Sequence, residues 1–547
     1  MAKKEELAKS AGVTVFRRSS SGLTRQFGAL DVLIYNVAWS MLLIPGIAYL
    51  YLQGYFAFPN GNMALSIFLI AVWATPMFIA YSMLASSMPR SGGDYVWQSR
   101  ILHGSIGFVT MMIMAFSLFI WIALNGWWVT SFSSSPMLTA IGVQMGNQGL
   151  INLGTWLGTP QGIFAGTVLV NVGVFLMFLP GITPGLKAGR YGFIFVLISM
   201  AALTVVMAVT SHANWVSSYN GLMGQLDPSH PDYYNYVIST ATGAGFVSST
   251  GNSLWDSLGM GTLVWIVLAW PMWVFLNLGE VKGAESLKRT TTLTLGSLWL
   301  AAIFTIIWAL ELVNLVGNNF LGAAGYAAFS GLISFPIYPW YTNLVSALGV
   351  APAVLVGLGV LAIGIWECWV NYVGGSRIML AASLDRVWPE WFGRVGRRFR
   401  QLVNVGITYL IMGIIVGYLY NFVGAFYSYT LYTSLAASFF QFFTMLAAIL
   451  FPYRKRMKAV WDTSPAKRWV IAGIPAIVLG GIAGLALQGT LIYYELTVAN
   501  LFINSTTTLS GFGVLIAGLA VYWFATKYYL KGKGVDVELA FREVPPL

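Results

Sequence analysis

The sequence predicts an all-α polytopic membrane protein with about twelve transmembrane helices. Of its 547 residues, 57% are hydrophobic and 9% are charged, whereas soluble domains carry roughly 25% charged residues. Twelve apolar runs are long enough to cross a hydrocarbon core, which takes about 20 helical residues. All 29 lysines and arginines fall in alternate gaps between these runs, and this is the pattern that positive-inside topology produces.

We number the apolar runs as spans 1 to 12 in chain order. Their approximate bounds are 27–52, 63–88, 104–130, 161–182, 190–211, 258–280, 291–316, 349–373, 402–424, 427–450, 468–490 and 509–529. The basic residues lie before span 1 and at the gaps after spans 2, 4, 6, 8, 10 and 12. Because basic flanks stay in the cytoplasm during insertion, we predict that both termini are cytoplasmic. We therefore attribute the net charge of +11 to topology and expect no nucleic-acid partner; a polyanion site is the alternative.

The topology divides the chain into six parts. These are a cytoplasmic N-terminal tail (1–26), a first five-helix unit (27–211), an extracellular loop (212–257), a second five-helix unit (258–450), helices 11 and 12 (451–530) and a cytoplasmic C-terminal tail (531–547). The first apolar run is long enough to span, so we expect a transmembrane helix there rather than a cleaved signal peptide. The protein is thus expected in the cell membrane, with lipid around it.

Spans 1 and 6 each contain a helix-breaking proline at membrane depth, Pro45 and Pro271. One such proline alone commonly gives only a kink. These two lie five helices apart, so they cross the membrane in opposite directions at corresponding places in two five-helix halves. Paired broken helices of this kind indicate an inverted-repeat transporter with a solute site near the midplane. The candidate substrate-binding residues are Ser40, Leu42, Leu43, Ile44, Pro45, Gly46, Ala269, Trp270, Pro271, Met272 and Trp273.

The chemistry of a broken helix indicates what it binds. Unwound backbone exposes N–H and C=O groups that lipid cannot satisfy, so these groups must face a polar cavity or a partner. Half-helix N-termini favour an anion such as a carboxylate, while freed carbonyls favour a cation. A zwitterionic amino acid matches both. Trp270 beside the break is a candidate for cation–π contact with an amine, with packing as the alternative.

Four stretches carry a family resemblance. They are Met88–Trp97, Leu278–Lys282 followed by Arg289, Ser376–Arg386 followed by Pro389 and Phe392, and the start of span 1 with Gly28 and Asp31. Together they resemble the amino acid/polyamine/organocation superfamily of secondary transporters, and the resemblance extends from about Gly22 to Leu530.

The resemblance implies a five-plus-five inverted repeat with broken helices 1 and 6 and two additional C-terminal helices. It also implies transport of amino acids across the cytoplasmic membrane by alternating access, driven by a proton or sodium gradient or by exchange. A permease for polyamines or another small amine or metabolite is the nearest alternative. A pore or receptor that binds a solute without carrying it is the alternative from another class. The sequence does not specify an oligomeric state.

A carboxylate inside span 8, Glu367, is a functional candidate because intramembrane charges are costly. Asn371 lies four residues later on the same helix face. By resemblance to sodium-coupled relatives, this face meets the break of span 1 near their cation site. Ser199 in span 5 matches a position where some proton-coupled relatives carry a lysine. Glu367 could ligate sodium, accept a proton, contact substrate or only hydrogen-bond within the bundle. Beyond a coupling Na⁺ or H⁺ we expect no cofactor.

Two charges at the cytoplasmic ends of spans are candidates for a gating pair. Arg25 and Asp385 flank helices that would tilt during exchange, with ordinary loop charges as the alternative.

The sequence shows no pattern typical of an enzyme. The three histidines lie in gaps without metal-ligand spacing, and the chain contains no Walker, zinc or nucleophile-elbow motif. We therefore expect a gradient-driven or exchanging transporter rather than an enzyme.

Overall fold

A computed structural model describes residues 23–40, 52–396, 402–423, 432–498 and 506–542. These parts of the chain are largely helical, and their one sheet is a two-stranded hairpin, Val470–Ile471 with Ile474–Pro475. Ten helices in the described ranges are long and apolar enough to cross a membrane. The prediction of an all-α polytopic membrane protein is confirmed.

The ten long helices correspond to spans 2 to 5 and 7 to 12. Their bounds are Met63–Ser87, Gly104–Gln144, Pro160–Phe178, Ile182–Val209, Leu287–Val316, Val350–Leu384, Val403–Phe422, Leu435–Tyr453, Ala476–Thr497 and Leu509–Gly532. A π-helical stretch, Val129–Ser134, interrupts the helix of span 3 near its end. Spans 1 and 6 are represented by shorter helices, Ala29–Ser40 and Leu254–Leu268. Residues 52–57 form another helical turn.

The helix of span 8 is longer than the predicted span. It runs from Val350 to Leu384, which is about 52 Å at 1.5 Å per residue and therefore exceeds a hydrocarbon core of about 30 Å. The helix continues beyond the predicted span end near residue 373, so Arg377, which we assigned to the following gap, lies inside the helix and pairs with Glu280.

Short helices and 3-10 turns lie in the gaps between spans, at the end of span 10 and after span 12. The helices are Asp94–Ile101, Gln148–Leu157, His212–Leu226, Tyr233–Gly243, Asn318–Phe329, Tyr341–Ser346, Lys458–Thr463 and Val537–Ala540, and the 3-10 turns are Glu390–Gly393, Phe451–Tyr453, Lys455–Met457 and Pro465–Arg468. The segment 212–257, predicted as an extracellular loop, thus carries two of these helices. Both begin at a capping side chain: Ser211 accepts from the N–H of Asn214, and Asp232 from that of Asn235.

Contacts between gaps divide them into the same two sets as the positions of the basic residues. Arg100, after span 2, pairs with Asp385, after span 8, at 2.7 Å. Gln144, after span 3, donates to the carbonyl oxygen of Ser346, after span 7, at 2.9 Å. The gaps with lysine and arginine meet at one end of the bundle, which we call the basic side. Described gaps without them, such as those after spans 3 and 7, meet at the other end, which we call the opposite side.

The outer surface of the spans is apolar. Large hydrophobic side chains such as Leu169, Val209 and Val514 are more than 70% exposed, although they lie in helices of membrane-spanning length. A lipid bilayer covers side chains of this kind, so this surface fits a multi-pass membrane protein.

Candidate functional site

Span 6 loses its α-helix at the place where Pro271 predicts a break. The helix ends at Leu268, and residues 269–272 form a turn before the 3-10 turns Trp273–Leu276 and Leu278–Glu280. Proline has no N–H to donate to the preceding turn, and its ring clashes with the carbonyl four residues earlier. The break therefore puts backbone that lacks helical hydrogen bonds inside the bundle.

Side chains from two other spans satisfy part of this backbone. Gln441 of span 10 donates from Nε2 to the carbonyl oxygen of Ala269 at 3.0 Å. Asn36 of span 1 accepts from the backbone N–H of Val274 through Oδ1 at 3.0 Å. Both amide side chains are fully buried. The break is thus attached to spans 1 and 10 by hydrogen bonds that any relative movement of these spans would have to break.

Spans 1, 6 and 8 meet beside the break. The Tyr35 hydroxyl donates to the carbonyl oxygen of Val370 at 3.1 Å and accepts from the Asn277 amide at 3.1 Å. A Cβ at Gly374 would lie 2.8 Å from Nε1 of Trp273, so only glycine lets these two spans approach so closely. The contact among spans 1, 6 and 8 thus depends on Tyr35, Asn277 and Gly374, which lie within otherwise apolar runs.

The candidate substrate-binding residues fall into two groups. Ala269, Trp270, Pro271, Met272 and Trp273 are all buried at the break. The Trp270 ring makes edge-to-face contacts with Trp273 at 5.4 Å and with a third tryptophan, from span 3, at 6.5 Å between ring centroids.

The other group belongs to span 1. Ser40 ends its described helix. Five further candidates lie outside the described residues, namely Leu42, Leu43, Ile44, Pro45 and Gly46. The predicted break of span 1 remains a prediction.

Glu367 and Asn371 lie one turn apart on span 8, and both are fully buried. Among the described residues, no hydrogen bond reaches either carboxylate oxygen of Glu367 or either polar atom of the Asn371 side chain. The side chain of Asn125 from span 3 is adjacent to Glu367. Buried polar groups are rarely left without partners, so this pair is a candidate for an ion, a proton or a solute group.

The described residues contain no group of three or more His, Cys, Asp or Glu side chains that could hold a metal ion. A sodium site near Glu367 would therefore need oxygen ligands from amides, hydroxyls or backbone carbonyls, which Na⁺ as a hard cation accepts.

Ser199 lies apart from this pair. A Cβ at Gly189 of span 5 would lie 2.2 Å from the ring of Trp366, the residue before Glu367, so Gly189 marks the level of Glu367 on span 5. Ser199 follows Gly189 by ten residues, which is about 15 Å of α-helix. The structure brings Glu367 and Asn371 together but does not bring Ser199 to them.

Arg25 and Asp385, the candidate gating pair, have different partners. Arg25 lies 3.5 Å from Glu285, and both side chains are partly exposed. Asp385 is buried, pairs with Arg100 at 2.7 Å and accepts from the Tyr95 hydroxyl at 3.0 Å. Both contacts lie on the basic side, where the pair was expected, but the structure does not join the two residues to each other.

A second buried ion pair lies near the first. Arg377 of span 8 donates from Nε and Nη2 to the two carboxylate oxygens of Glu280 at 2.8 and 3.0 Å. This bidentate geometry is the strongest arrangement for an arginine and a carboxylate. Glu280 and Arg377 belong to two different family motifs. The sequence did not predict that they pair, because a motif match carries no information on which charges meet.

The stretches that carry the family resemblance converge on the basic side. The N–H of Gly92 donates to the carbonyl oxygen of Leu276 at 2.8 Å, and Ser91 forms a β-bridge with Asn277. Gly92 has φ of 101°, and a Cβ there would lie 2.5 Å from Cβ of Ala381, so both its conformation and its surroundings require glycine. The first three motifs are therefore parts of one packed unit at the ends of spans 2, 6 and 8.

The chain is similar to a known transporter. It is 24% identical, over 405 residues, to the branched-chain amino acid permease BcaP of Lactococcus lactis subsp. cremoris (strain MG1363). The similarity covers 73% of this chain and 76% of the permease. This protein resembles an amino acid permease.

No protein-family model matches the chain. The match to BcaP nevertheless confirms the resemblance to amino acid permeases that the four motifs indicated, because it extends over most of both proteins. It also agrees with the apolar spans and with the internal break. An amino acid permease-type membrane transporter is the class of protein that all three observations support.

Proposed function

We propose that the protein is a secondary active transporter that moves amino acids across the cytoplasmic membrane by alternating access. The observation that carries this proposal is the break in span 6, where buried backbone at residues 269–277 is held by side chains of spans 1 and 10. A pore or receptor has no need of such a break. A carrier uses it, because the backbone supplies polar contacts that rearrange when spans move.

The proposed cycle depends on exchanging hydrogen-bond partners. With solute absent, Asn36 and Gln441 satisfy the N–H of Val274 and the C=O of Ala269. An amino acid offers a carboxylate that accepts from an N–H and an ammonium group that donates to a C=O. Solute can therefore take over the N–H of Val274 and the C=O of Ala269 when Asn36 and Gln441 move away, so that these backbone groups are not left unpaired at about 1–3 kcal/mol each.

Glu367 is the proposed coupling residue. As a buried carboxylate with an unpartnered asparagine one turn away, it suits either protonation or sodium ligation, and both would link ion movement to the state of spans 3 and 8. Exchange of one amino acid for another is the remaining driving mechanism, and it would not require Glu367.

The relative BcaP is named for branched-chain amino acids, so leucine, isoleucine and valine are natural first test substrates. We also propose that the basic side of the bundle faces the cytoplasm, because lysine and arginine are retained there during insertion. Both termini would then be cytoplasmic.

Transport by purified protein in liposomes tests this function. We expect uptake of a labelled amino acid that saturates with concentration and is accelerated by unlabelled solute on the other side of the membrane. Linear flux without this counterflow would indicate a pore, and binding without flux would indicate a receptor. Either result would contradict the proposed function. Imposed gradients of H⁺ and of Na⁺, applied separately, would distinguish the coupling ions.

A further inference from the structure

A small cavity lies beside the break and is lined by a buried carboxylate that the proposed mechanism does not use. Its walls come from spans 3, 6, 10 and 11. The lining includes Trp121, Thr262, Trp265, Trp270, Thr433 and Glu495. Trp270 belongs to the break itself, so the cavity adjoins the place where solute is proposed to bind.

Glu495 is the charged group of this cavity. It lies on the helix Ala476–Thr497 and is 2% exposed. Among the described residues, no hydrogen bond reaches its Oε2, although the side chain of Ser438 is adjacent. A carboxylate inside a membrane span is costly and is commonly retained for a function.

Three donors of the other lining groups form hydrogen bonds within the protein. The Trp265 indole N–H donates to Oε1 of Gln441 at 3.1 Å, and the Trp270 N–H donates to the carbonyl oxygen of Ile266 at 2.6 Å. The Thr262 hydroxyl donates to the carbonyl oxygen of Gly259 at 2.9 Å. These three donors are therefore used within the protein, whereas Glu495 and the tryptophan rings form part of the lining.

An acceptor beside aromatic rings is suited to a cation. Ring faces attract ammonium groups through their quadrupole, and a carboxylate adds a charge-assisted hydrogen bond. An anion would meet the carboxylate of Glu495, so the same cavity disfavours it. The free space suits a group of about the size of one water molecule, and an ammonium head group has that size.

We propose that Glu495, together with the rings of Trp121, Trp265 and Trp270, forms a subsite for a primary ammonium group at the far end of the transported solute. This inference rests on the proposed function and specifies its substrate class: cationic amino acids or alkyl diamines, in preference to branched-chain amino acids. Both substrates present the same group to Glu495. They differ at the break, where only the amino acid offers a carboxylate.

The test compares lysine, cadaverine and leucine in binding and in transport. In wild-type protein, lysine or cadaverine should raise the melting temperature at lower concentration than leucine, and should compete better for uptake, by about tenfold or more. Lysine above cadaverine would identify an amino acid substrate, and the reverse order a diamine. Leucine equal to or better than both cations would overturn the subsite.

Three variants locate the effect at Glu495. Glu495→Gln keeps the side-chain shape but removes the charge, so it should lose the preference for cations while leucine binding persists. Glu495→Asp keeps the charge and should retain the preference in weaker form. Glu311 lies on the helix Leu287–Val316 and is not among the residues that line the cavity, so Glu311→Gln should have no effect. An unchanged ratio of cation to leucine affinity in Glu495→Gln would overturn the proposal.

The binding and transport readouts separate this inference from the proposed function. Binding of lysine or cadaverine that depends on Glu495, without saturable flux, would support the subsite and contradict the transporter. Saturable, counterflow-sensitive leucine uptake that is indifferent to Glu495 would support the transporter and overturn the subsite.

Discussion

At the scale of single residues, buried polar side chains in apolar spans are the most informative feature of this protein. Glu367, Asn371 and Glu495 are all buried, and each has a polar atom without a hydrogen bond among the residues that the structure describes. Each such group lowers stability unless something binds it. Glu495 lines a cavity beside the break of span 6, and Glu367 and Asn371 lie one turn apart on span 8, so these groups indicate where ions and solute are to be sought.

Glu367→Gln should abolish gradient-driven accumulation and spare folding. Glutamine has the shape of glutamate but neither takes up a proton nor offers a charge to sodium, so the link between ion and solute is lost while the packing of span 8 persists. The measurement is uptake into liposomes with and without H⁺ and Na⁺ gradients, with Glu311→Gln as the matched control. Wild-type accumulation in Glu367→Gln would refute the coupling role.

Asp94 should make stability depend on pH. It is buried in the gap between spans 2 and 3, and this burial raises the pKa of its carboxyl group to about 6. The Thr444 hydroxyl donates to Oδ1 at 2.6 Å and lowers the pKa, but by less than burial raises it. Between about pH 4 and 6 the folded protein then holds a proton that the unfolded chain has released. The free energy of unfolding should therefore fall as pH rises through this window and be level above it.

Asp94→Asn removes the titrating group but can still accept the hydrogen bond. Melting temperatures of the purified variant should show a smaller decline between pH 4.5 and 7 than those of the wild type. A decline of the same size in both proteins would exclude Asp94 as its source.

At the scale of structural elements, the break in span 6 depends on its partners as much as on its proline. Pro271 predicts where the α-helix ends, and the helix does end three residues before it. The sequence could not predict that Gln441 and Asn36 cap the freed groups, because these contacts join residues more than 170 positions apart. Gln441 could have been identified as a candidate in the same way as Glu367, because it is a polar side chain within an apolar span.

Gln441→Leu should reduce transport strongly. It leaves the carbonyl of Ala269 and the indole N–H of Trp265 without their partner, at a cost of about 1–3 kcal/mol for each buried group, and thereby disorders the break. Initial uptake rates and melting temperature are the measurements.

Gln488→Leu is the matched control for this change. Gln488 is also a buried glutamine, on span 11, and it donates a hydrogen bond to the sulfur of Met77 at 3.5 Å. We expect near-normal transport there. Equal losses in the two variants would mean that the effect of Gln441 is general to buried glutamines.

At the scale of the whole molecule, most of what the sequence predicted concerns the order of spans, and most of what it missed concerns long-range pairing. Among the described residues, the contacts Arg100–Asp385 and Gln144–Ser346 agree with the two sets of gaps that the basic residues define, since positive charge governs insertion gap by gap. The partners of Arg25, Arg100 and Arg377 depend on how the finished helices pack. The candidate pairing of Arg25 with Asp385 illustrates this, because each residue has a closer partner.

The buried pair Arg377–Glu280 should be strongly coupled. Arg377→Met leaves a buried carboxylate uncompensated and should destabilise the protein by about 3–5 kcal/mol, whereas adding Glu280→Met should recover most of this loss. Thermal unfolding of both single variants and the double variant measures the coupling. Losses that simply add would show that the two side chains act independently. The exposed pair Lys467–Asp462 is the control, and Asp462→Asn should leave stability nearly unchanged.

The hydrogen bond between Asn36 and the N–H of Val274 also allows the relative movement of spans 1 and 6 to be measured by hydrogen exchange. Amide hydrogens exchange with deuterium only while their bond is open. Because the acceptor here is a side chain of span 1 and the donor is backbone of span 6, the isotope uptake of this single amide reports how often the two spans separate. Its rate can be followed without any label attached to the protein.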